Sequence, residues 1–229
     1  MRMAKILTIA LAALPSANAF TAHSQEDYRF EIGAGLGMTG YLGDANTSNL
    51  WRNPGADGEL LFRYIVNPRI ALKTNAYLGN LRGNTAQMTN VMPDGRDYTF
   101  STTFYELGEM AEFNFFAFGV GESYRKLVKV TPYITAGLSV TGWSVSGHSG
   151  AAFTIPLGIG LKYKVAERLN LGLEFLMKKA FTDKLDGPDL ADPYGIKSSF
   201  MSNTDWYSTT TVSLTYEFSR RCATCHYKD

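Results

Sequence analysis

Apolar and hydrophilic residues alternate along the last regular segment of the chain, residues 206–218. One set of alternate positions is Trp206, Ser208, Thr210, Val212, Leu214, Tyr216 and Phe218, and the other is Tyr207, Thr209, Thr211, Ser213, Thr215 and Glu217. Because successive side chains of a strand point to opposite faces, we predict a strand with one apolar, aromatic-ended face and one hydrophilic face. A polar interior and a lipid exterior would select this pattern, although a half-buried strand of a soluble sandwich shares it.

Seven further segments have the same two-residue period, which gives eight predicted strands. They cover residues 28–38, 58–66, 69–78, 103–116, 132–143, 153–165, 169–181 and 206–218. Several are longer than the strands usual in globular sheets. Eight long strands with apolar outer faces predict an all-β fold, an eight-stranded antiparallel up-and-down transmembrane β-barrel with a filled interior.

The N-terminal residues have the pattern of a secretory signal peptide. Arg2 and Lys5 precede the apolar run 6–14, and small residues suited to cleavage follow. The run is too short to span a bilayer as a helix. Cleavage after Ala19 or after Ser24 fits the pattern. We therefore expect a signal peptide over 1–24, a barrel over 25–218 and a C-terminal tail over 219–229.

The connections between predicted strands support a topology in the outer membrane. The stretches 39–57, 80–102 and 182–205 are long, whereas 67–68 and 166–168 are tight. Small outer-membrane barrels have long extracellular loops and short periplasmic turns. All three long stretches fall outside if the N- and C-termini lie in the periplasm, and this is the localisation we expect.

The overall composition adds little to this picture but excludes one class of partner. The formal net charge is only +1, with 45% hydrophobic residues. A nucleic-acid-binding protein would show a basic excess, so we expect no nucleic-acid partner.

Charged residues of both signs fall on the predicted inner faces. They are Arg29, Glu31, Glu59, Arg63, Lys73, Glu106, Glu112, Lys162, Lys164, Glu174, Lys178 and Glu217, six basic and six acidic. An eight-stranded barrel is just wide enough for side chains to fill it. Balanced charge in so narrow a space predicts an ion-paired, closed interior, because a selective pore would show one dominant sign.

One acidic residue departs from this distribution. Glu109 falls on the lipid-facing side of its strand by simple alternation. A carboxylate is costly there. We therefore expect a register error, a bulge or a position near the rim.

The C-terminal tail contains Cys222, Cys225 and His226 in the spacing of a c-type haem attachment site. It follows the last predicted strand, and no further polypeptide is there to build an apolar haem pocket. We expect no cofactor and no metal, and we interpret Cys222 and Cys225 as a periplasmic disulfide or thiol pair. Haem attachment and a Cys/Cys/His metal site are the alternatives, the latter lacking an evident fourth ligand.

An enzymatic function has one candidate base. His148 lies beside Ser146 and Ser149 in a predicted outer loop, as a small lipid-modifying hydrolase would require. No catalytic constellation converges on it, so we expect a non-catalytic barrel with a structural or protein-interaction role. The alternative is a small outer-membrane hydrolase, or an adhesin, that acts through Trp51, His148 and the extracellular loops.

Several short blocks of sequence recur in an order that is typical of one family. They are residues 31–37 (EIGAGLG), 41–44 (YLGD), 67–69 (NPR), 155–158 (IPLG), 162–164 (KYK), 168–174 (RLNLGLE), 181–183 (FTD), 185–186 (LD) and 203–207 (NTDWY). In these blocks the chain resembles PorG-like outer-membrane proteins of the Bacteroidetes. The similarity spans most of the mature chain. It implies an OmpA-like eight-stranded barrel and, by analogy with PorG, an accessory role in type IX secretion together with periplasmic ring proteins.

Positive charge is concentrated in the predicted inner connection 117–131 and in the tail. The candidate contacts for a periplasmic partner are Tyr124, Arg125, Lys126, Lys129, Arg220 and Arg221. Such charge would attract an acidic partner protein. It would equally suit contact with anionic headgroups of the outer membrane.

Overall fold

The chain forms a closed antiparallel barrel. The computed structural model describes residues 28–42, 50–51, 53–84, 99–119, 127–145, 147–182 and 205–220. The strands are β1 (Tyr28–Leu42), β2 (Gly55–Asn67), β3 (Ile70–Asn84), β4 (Thr99–Asn114), β5 (Val130–Val145), β6 (His148–Ala166), β7 (Leu169–Ala180) and β8 (Trp206–Arg220). Each strand pairs with its neighbours in sequence, and β8 pairs with β1 to close the sheet. The predicted fold class is confirmed. In the described part of the chain, no helix is long and apolar enough to cross a membrane.

The two ends of the barrel differ. We call the end that carries the β2–β3 and β6–β7 turns the turn end, and the opposite end the loop end. Several strands reach further toward the loop end than alternation predicts. β3 continues to Asn84, which pairs with Thr99 at the start of β4. The extension of β3 keeps two faces, because Leu81 is buried and Arg82 is exposed. The glycine and asparagine residues at positions 79, 80, 83 and 84 obscure this alternation in the sequence.

The outward faces of the strands are apolar. Leu36, Leu138 and Phe153 are 78%, 68% and 72% exposed, whereas the inward faces hold buried charged and hydroxyl side chains. This is the reverse of a water-soluble protein, which rarely exposes large apolar patches. Hydrocarbon requires an apolar surface and no unpaired sheet edge, and this closed barrel meets both conditions.

Side chains brace the turn end. Tyr28 is buried there rather than exposed on the outer face, where alternation from Phe30 would place it. Its hydroxyl donates to Glu167 Oε1 at 2.9 Å and accepts from Arg168 Nε at 2.8 Å. Arg168 also donates to the Tyr216 hydroxyl at 3.1 Å. These hydrogen bonds, to Tyr216 and then to Tyr28, raise the pKa of Arg168, and they tie the start of β1 to the β6–β7 turn.

Glu109 faces outward from the middle of β4. The β3–β4 and β4–β5 ladders pass through it in unbroken register and pair it with Thr74 and Leu138. The Thr74 hydroxyl donates to Glu109 Oε1 at 2.8 Å. The expectation of a register error, a bulge or a rim position is therefore wrong, because this carboxylate lies on the lipid-facing surface at mid-strand.

Candidate functional site

The barrel interior brings together most of the charged residues that alternation places on the inner faces. Eleven of the twelve are buried, each at most 6% exposed. They are Glu31, Glu59, Arg63, Lys73, Glu106, Glu112, Lys162, Lys164, Glu174, Lys178 and Glu217. Their contacts form one group in the turn half of the lumen and one in the loop half.

Arg29 is the exception, and its predicted interior position is wrong. Its side chain is exposed at the turn end. The β1–β8 ladder pairs Tyr28 with Arg220 and Phe30 with Phe218, but it has no pair at Arg29, opposite Ser219. Ser219 has a φ of 62°. Regular alternation is lost at this point, and Tyr28 rather than Arg29 is buried at the end of the barrel.

Arg63 lies at the centre of the turn-half group. Its Nη1 is 2.6 Å from Glu31 Oε2, and its Nε is 2.8 Å from Glu112 Oε2. Its Nη2 donates to the second Glu112 oxygen at 3.0 Å. Lys162 Nζ lies 2.5 Å from Glu112 Oε2, and the Thr215 hydroxyl donates to Glu31. Two carboxylates thus hold two cations, with the planar guanidinium bridging them.

Lys73 connects this group to a second carboxylate centre. Its Nζ donates to both oxygens of Glu174, at 2.5 and 2.8 Å. Glu174 also accepts from the Tyr133 hydroxyl at 2.7 Å and from the Tyr77 hydroxyl at 3.4 Å. Glu59 lies 3.7 Å from the same ammonium. The several hydrogen bonds that the Glu174 carboxylate accepts offset the free-energy cost of removing it from water.

A third contact set lies at the mouth of the turn end. Lys164 Nζ is 2.5 Å from Glu217 Oε1. Asn170 Nδ2 lies 2.8 Å from the same Glu217 oxygen and 2.9 Å from Glu31 Oε1. The amide therefore joins the Lys164–Glu217 pair to the Arg63 centre.

The loop-half group is smaller. Lys178 Nζ donates to Glu106 Oε2 at 2.8 Å, and it lies 3.6 Å from the centre of the Tyr77 ring. The Tyr207 hydroxyl donates to the same Glu106 oxygen at 2.9 Å. Thr141 lies 2.8 Å from the Tyr207 hydroxyl. The Lys178 ammonium thus has both a carboxylate and an aromatic face as partners.

An apolar cluster packs around and beyond this group. Its members are Tyr77, Leu81, Phe104, Met110, Trp143, Val145, Leu176, Ala180 and Tyr207, with Phe100 and Ala152 packed against them. The rings of Phe104 and Tyr207 are 5.6 Å apart. Since eight strands leave room only for side chains, the ion pairs and this apolar cluster together fill the lumen. The geometry is that of a packed core rather than of an ion pathway lined by one sign of charge.

Several polar residues of the interior were not singled out from the sequence. Asp57 is buried and accepts from the Thr211 hydroxyl at 3.2 Å. Asn170, Tyr133 and Tyr207 link the charged groups described above. Asn170, Tyr133 and Tyr207 lie on the inner side of predicted strands by the same alternation, so a search for uncharged donors at those positions would have found them. Asp57 was missed because it precedes residue 58, where its strand was predicted to begin, whereas β2 begins at Gly55.

The described parts of the connection between β4 and β5, residues 115–119 and 127–129, pack against the turn end. The Phe118 N–H donates to the Pro68 carbonyl at 3.1 Å, and the Val128 N–H donates to the Ala117 carbonyl at 2.8 Å. Beneath this connection lies a cavity of about 60 Å³. Its charged lining is Glu31, Arg63, Lys162, Lys164 and Glu217, and its apolar lining includes Ile65, Phe118 and Leu127.

Of the predicted partner contacts, the structure describes Lys129 and the backbone of Arg220. Lys129 is exposed, and its carbonyl accepts from the Lys164 N–H at 2.7 Å. The backbone of Arg220 ends β8. Tyr124, Arg125, Lys126 and Arg221 lie outside the described residues, as do Cys222, Cys225, His226 and the predicted signal peptide.

The residues of the enzymatic alternative lie at the loop end. His148 and Ser149 are both exposed at the start of β6, and Ser146 lies outside the described residues. As neighbours in a strand, His148 and Ser149 point to opposite faces. Trp51 is 41% exposed, with its ring 6.4 Å from that of Phe175.

A closed eight-stranded barrel with an apolar exterior and a packed polar interior defines a small transmembrane β-barrel. Within that class, the chain belongs to the family described as a domain of unknown function, DUF6089, whose pattern matches residues 13–227. No curated protein matches the sequence.

The chain is similar to solved structures of outer-membrane proteins, one of which shares its fold at a TM-score above 0.5. Neisserial surface protein A (NspA) is 13% identical with a TM-score of 0.52, and the match covers 82% of this chain and 97% of NspA. Ail of Yersinia pestis, solved with the heparin analogue sucrose octasulfate, is 11% identical with a TM-score of 0.49, over 84% of this chain and 100% of Ail. At 13% identity, the similarity to NspA concerns the fold alone.

Proposed function

We propose that this protein is a non-catalytic outer-membrane barrel that presents its turn end to a periplasmic partner. The apolar exterior and the predicted signal peptide support the outer membrane as its location. Short turns face the periplasm in bacterial outer-membrane barrels, so the turn end, with both termini, would lie there. The resemblance to PorG-like proteins favours ring proteins of a type IX secretion machine as the partner.

The observation that carries the proposal is the packing of the two described ends of the β4–β5 connection, residues 115–119 and 127–129, against the turn end. Main-chain hydrogen bonds fix its two described ends to the barrel, from Phe118 to Pro68 and from Lys164 to Lys129. The exposed Lys129 is therefore held on a rigid support rather than on a free loop. Positive charge presented in this way suits an acidic protein surface.

The ion-paired lumen supports a structural role over transport or catalysis. Its ammonium and guanidinium groups are committed to carboxylates within the barrel, as in the Arg63–Glu112 and Lys73–Glu174 pairs. Such groups stiffen the barrel but offer no charge to a passing ion. The barrel would thus act as a rigid anchor in the membrane.

Co-purification from the native envelope in mild detergent tests the proposal. One variant carries serine at Arg125, Lys126 and Lys129, and the control carries Arg82→Ser, a loss of exposed charge at the loop end. We expect periplasmic proteins to co-purify with the wild type and the control but not with the triple variant. Heat-modifiable migration in gels checks that all three barrels are folded. Equal recovery from the triple variant, or a wild-type barrel that purifies alone, would contradict the proposal, and the first result would point to headgroup contact instead.

A further inference from the structure

Glu109 occupies a position where a carboxylate is costly. It is exposed on the outer face of β4, four residues from Phe113 toward the turn end and four from Tyr105 toward the loop end. Strand rise and tilt make four residues about 10 Å along the membrane normal. Both aromatic side chains face outward, at the depths where rings mark the membrane interfaces. Glu109 therefore lies near the middle of the lipid-facing band.

The surface around Glu109 is unlike the rest of that band. Its ladder partners are Thr74 and Leu138. Its other outward neighbours include Ala76, Ala111 and Ala136, all exposed. The larger side chains of Leu72, Leu107 and Val140 border this group of alanines. Three small side chains beside a carboxylate leave a shallow area in an otherwise bulky leucine and aromatic surface. Small residues allow close backbone approach between transmembrane segments, and polar side chains strengthen such contacts.

We propose that Thr74, Ala76, Glu109, Ala111 and Ala136 form a lateral docking surface for another transmembrane protein. We call these five residues the Glu109 surface. The partner would place a lysine, arginine, asparagine or glutamine side chain opposite the carboxylate at mid-depth. Thr74 supplies one hydrogen bond to Glu109, and the partner's donor would supply the complementary charge or further hydrogen bonds. This site is independent of the periplasmic partner proposed above.

Charge complementarity argues for a different protein rather than a second copy. On the described strands, outward-facing basic residues occur only near the ends, at Arg29, Arg82 and Lys179. None of these lies level with Glu109. A second copy arranged symmetrically would bring carboxylates together, which is unfavourable in a low dielectric.

Photocrosslinking in living cells tests the proposal. The photoreactive residue p-benzoyl-phenylalanine replaces Ala136 on the Glu109 surface. The matched control replaces Ala34, an exposed alanine at mid-strand of β1. We expect position 136 to crosslink a transmembrane segment that carries a basic or amide side chain near the crosslink. We expect position 34 not to do so, and Glu109→Leu to abolish the crosslink at 136.

A second measurement separates docking from a structural role of Glu109. The isolated barrel, refolded in phosphatidylcholine vesicles, should unfold at a higher urea concentration as Glu109→Leu than as wild type, because leucine removes a charge from lipid. A lower midpoint would show that Glu109 serves the barrel itself and would overturn the proposal. Lipid adducts alone, a crosslink between two copies, or a crosslink unchanged by Glu109→Leu would overturn it as well.

Discussion

Arg63 and Glu112 are joined by two contacts across the lumen, although their strands β2 and β4 do not pair with each other. Arg63 Nε lies 2.8 Å from one oxygen of Glu112, and Nη2 donates to the other at 3.0 Å. Glu112 also contacts Lys162, which lies on β6. One carboxylate therefore couples three strands of the barrel through its interior.

Removal of the Glu112 charge should destabilise the barrel strongly. Glu112→Gln leaves Arg63 and Lys162 buried with less compensating charge, and breaking a buried pair costs about 3–5 kcal/mol. The free energy of unfolding by urea in lipid vesicles measures this cost. The matched control is Glu109→Gln, the same substitution on the outer face of the same strand, which we expect to be neutral or stabilising. Equal effects of the two variants would contradict the ion-paired interior.

Loss of the Tyr207 hydroxyl should have a smaller but measurable effect. Tyr207→Phe removes a hydrogen bond to the Glu106 carboxylate and the contact with Thr141. Hydrogen bonds to charged groups contribute roughly 1.5–3 kcal/mol. Tyr216→Phe, on the outer face of the same strand, is the control. It removes only the solvent-exposed hydrogen bond from Arg168, which water can replace, so it should change the free energy of unfolding far less. A larger effect of Tyr216→Phe than of Tyr207→Phe would contradict the account, in which the polar network of β8 lies on the face turned to the barrel interior.

A charge placed on the outward face should lower the free energy of unfolding, and it should do so most at the middle of the membrane. Leu173 is 49% exposed on β7, paired with Leu161 and Val212. Leu173→Arg at mid-depth should cost roughly 2–4 kcal/mol in lipid vesicles, whereas Ser149→Arg near the loop end should cost about 0–1 kcal/mol. Similar costs at both positions would argue against a lipid-facing band.

His148 should be dispensable for assembly and for the lipid composition of the envelope. The proposed role is non-catalytic, so lipid extracted from cells that overproduce the wild type or His148→Ala should be identical by mass spectrometry. A modified lipid species that appears with the wild type and disappears with His148→Ala would establish the enzymatic alternative.

The alternation of polar and apolar residues was sufficient to predict the barrel. All eight strands occur where the pattern predicts them, because the lipid exterior and the narrow lumen impose opposite demands on successive residues. The ends of the strands were less predictable. The loop-end extension of β3 to Asn84 pairs with β4. It was missed because glycine and asparagine residues surround Leu81 and Arg82 and obscure their alternation in the sequence.

The contacts within the site could not be predicted residue by residue. Lys73 and Glu174 lie 101 positions apart, and their meeting depends on the registers of all the strands between them. Arg29 was misplaced because alternation was extended through the first residues of β1, where pairing opposite Ser219 is lost. Alternation correctly placed Glu109 on the outward face. We nevertheless expected an irregularity there, because a charge in lipid is costly.

The central structural claim is that ion pairs and apolar side chains fill the lumen, so that the barrel is a rigid anchor rather than a channel, and conductance across a planar lipid bilayer tests it. The full-length barrel, refolded and reconstituted, should produce no stable conductance steps, because ion pairs such as Arg63–Glu112 and the apolar cluster around Trp143 occupy the interior. Reproducible steps of constant size from the folded barrel would contradict this account and would make the protein a channel.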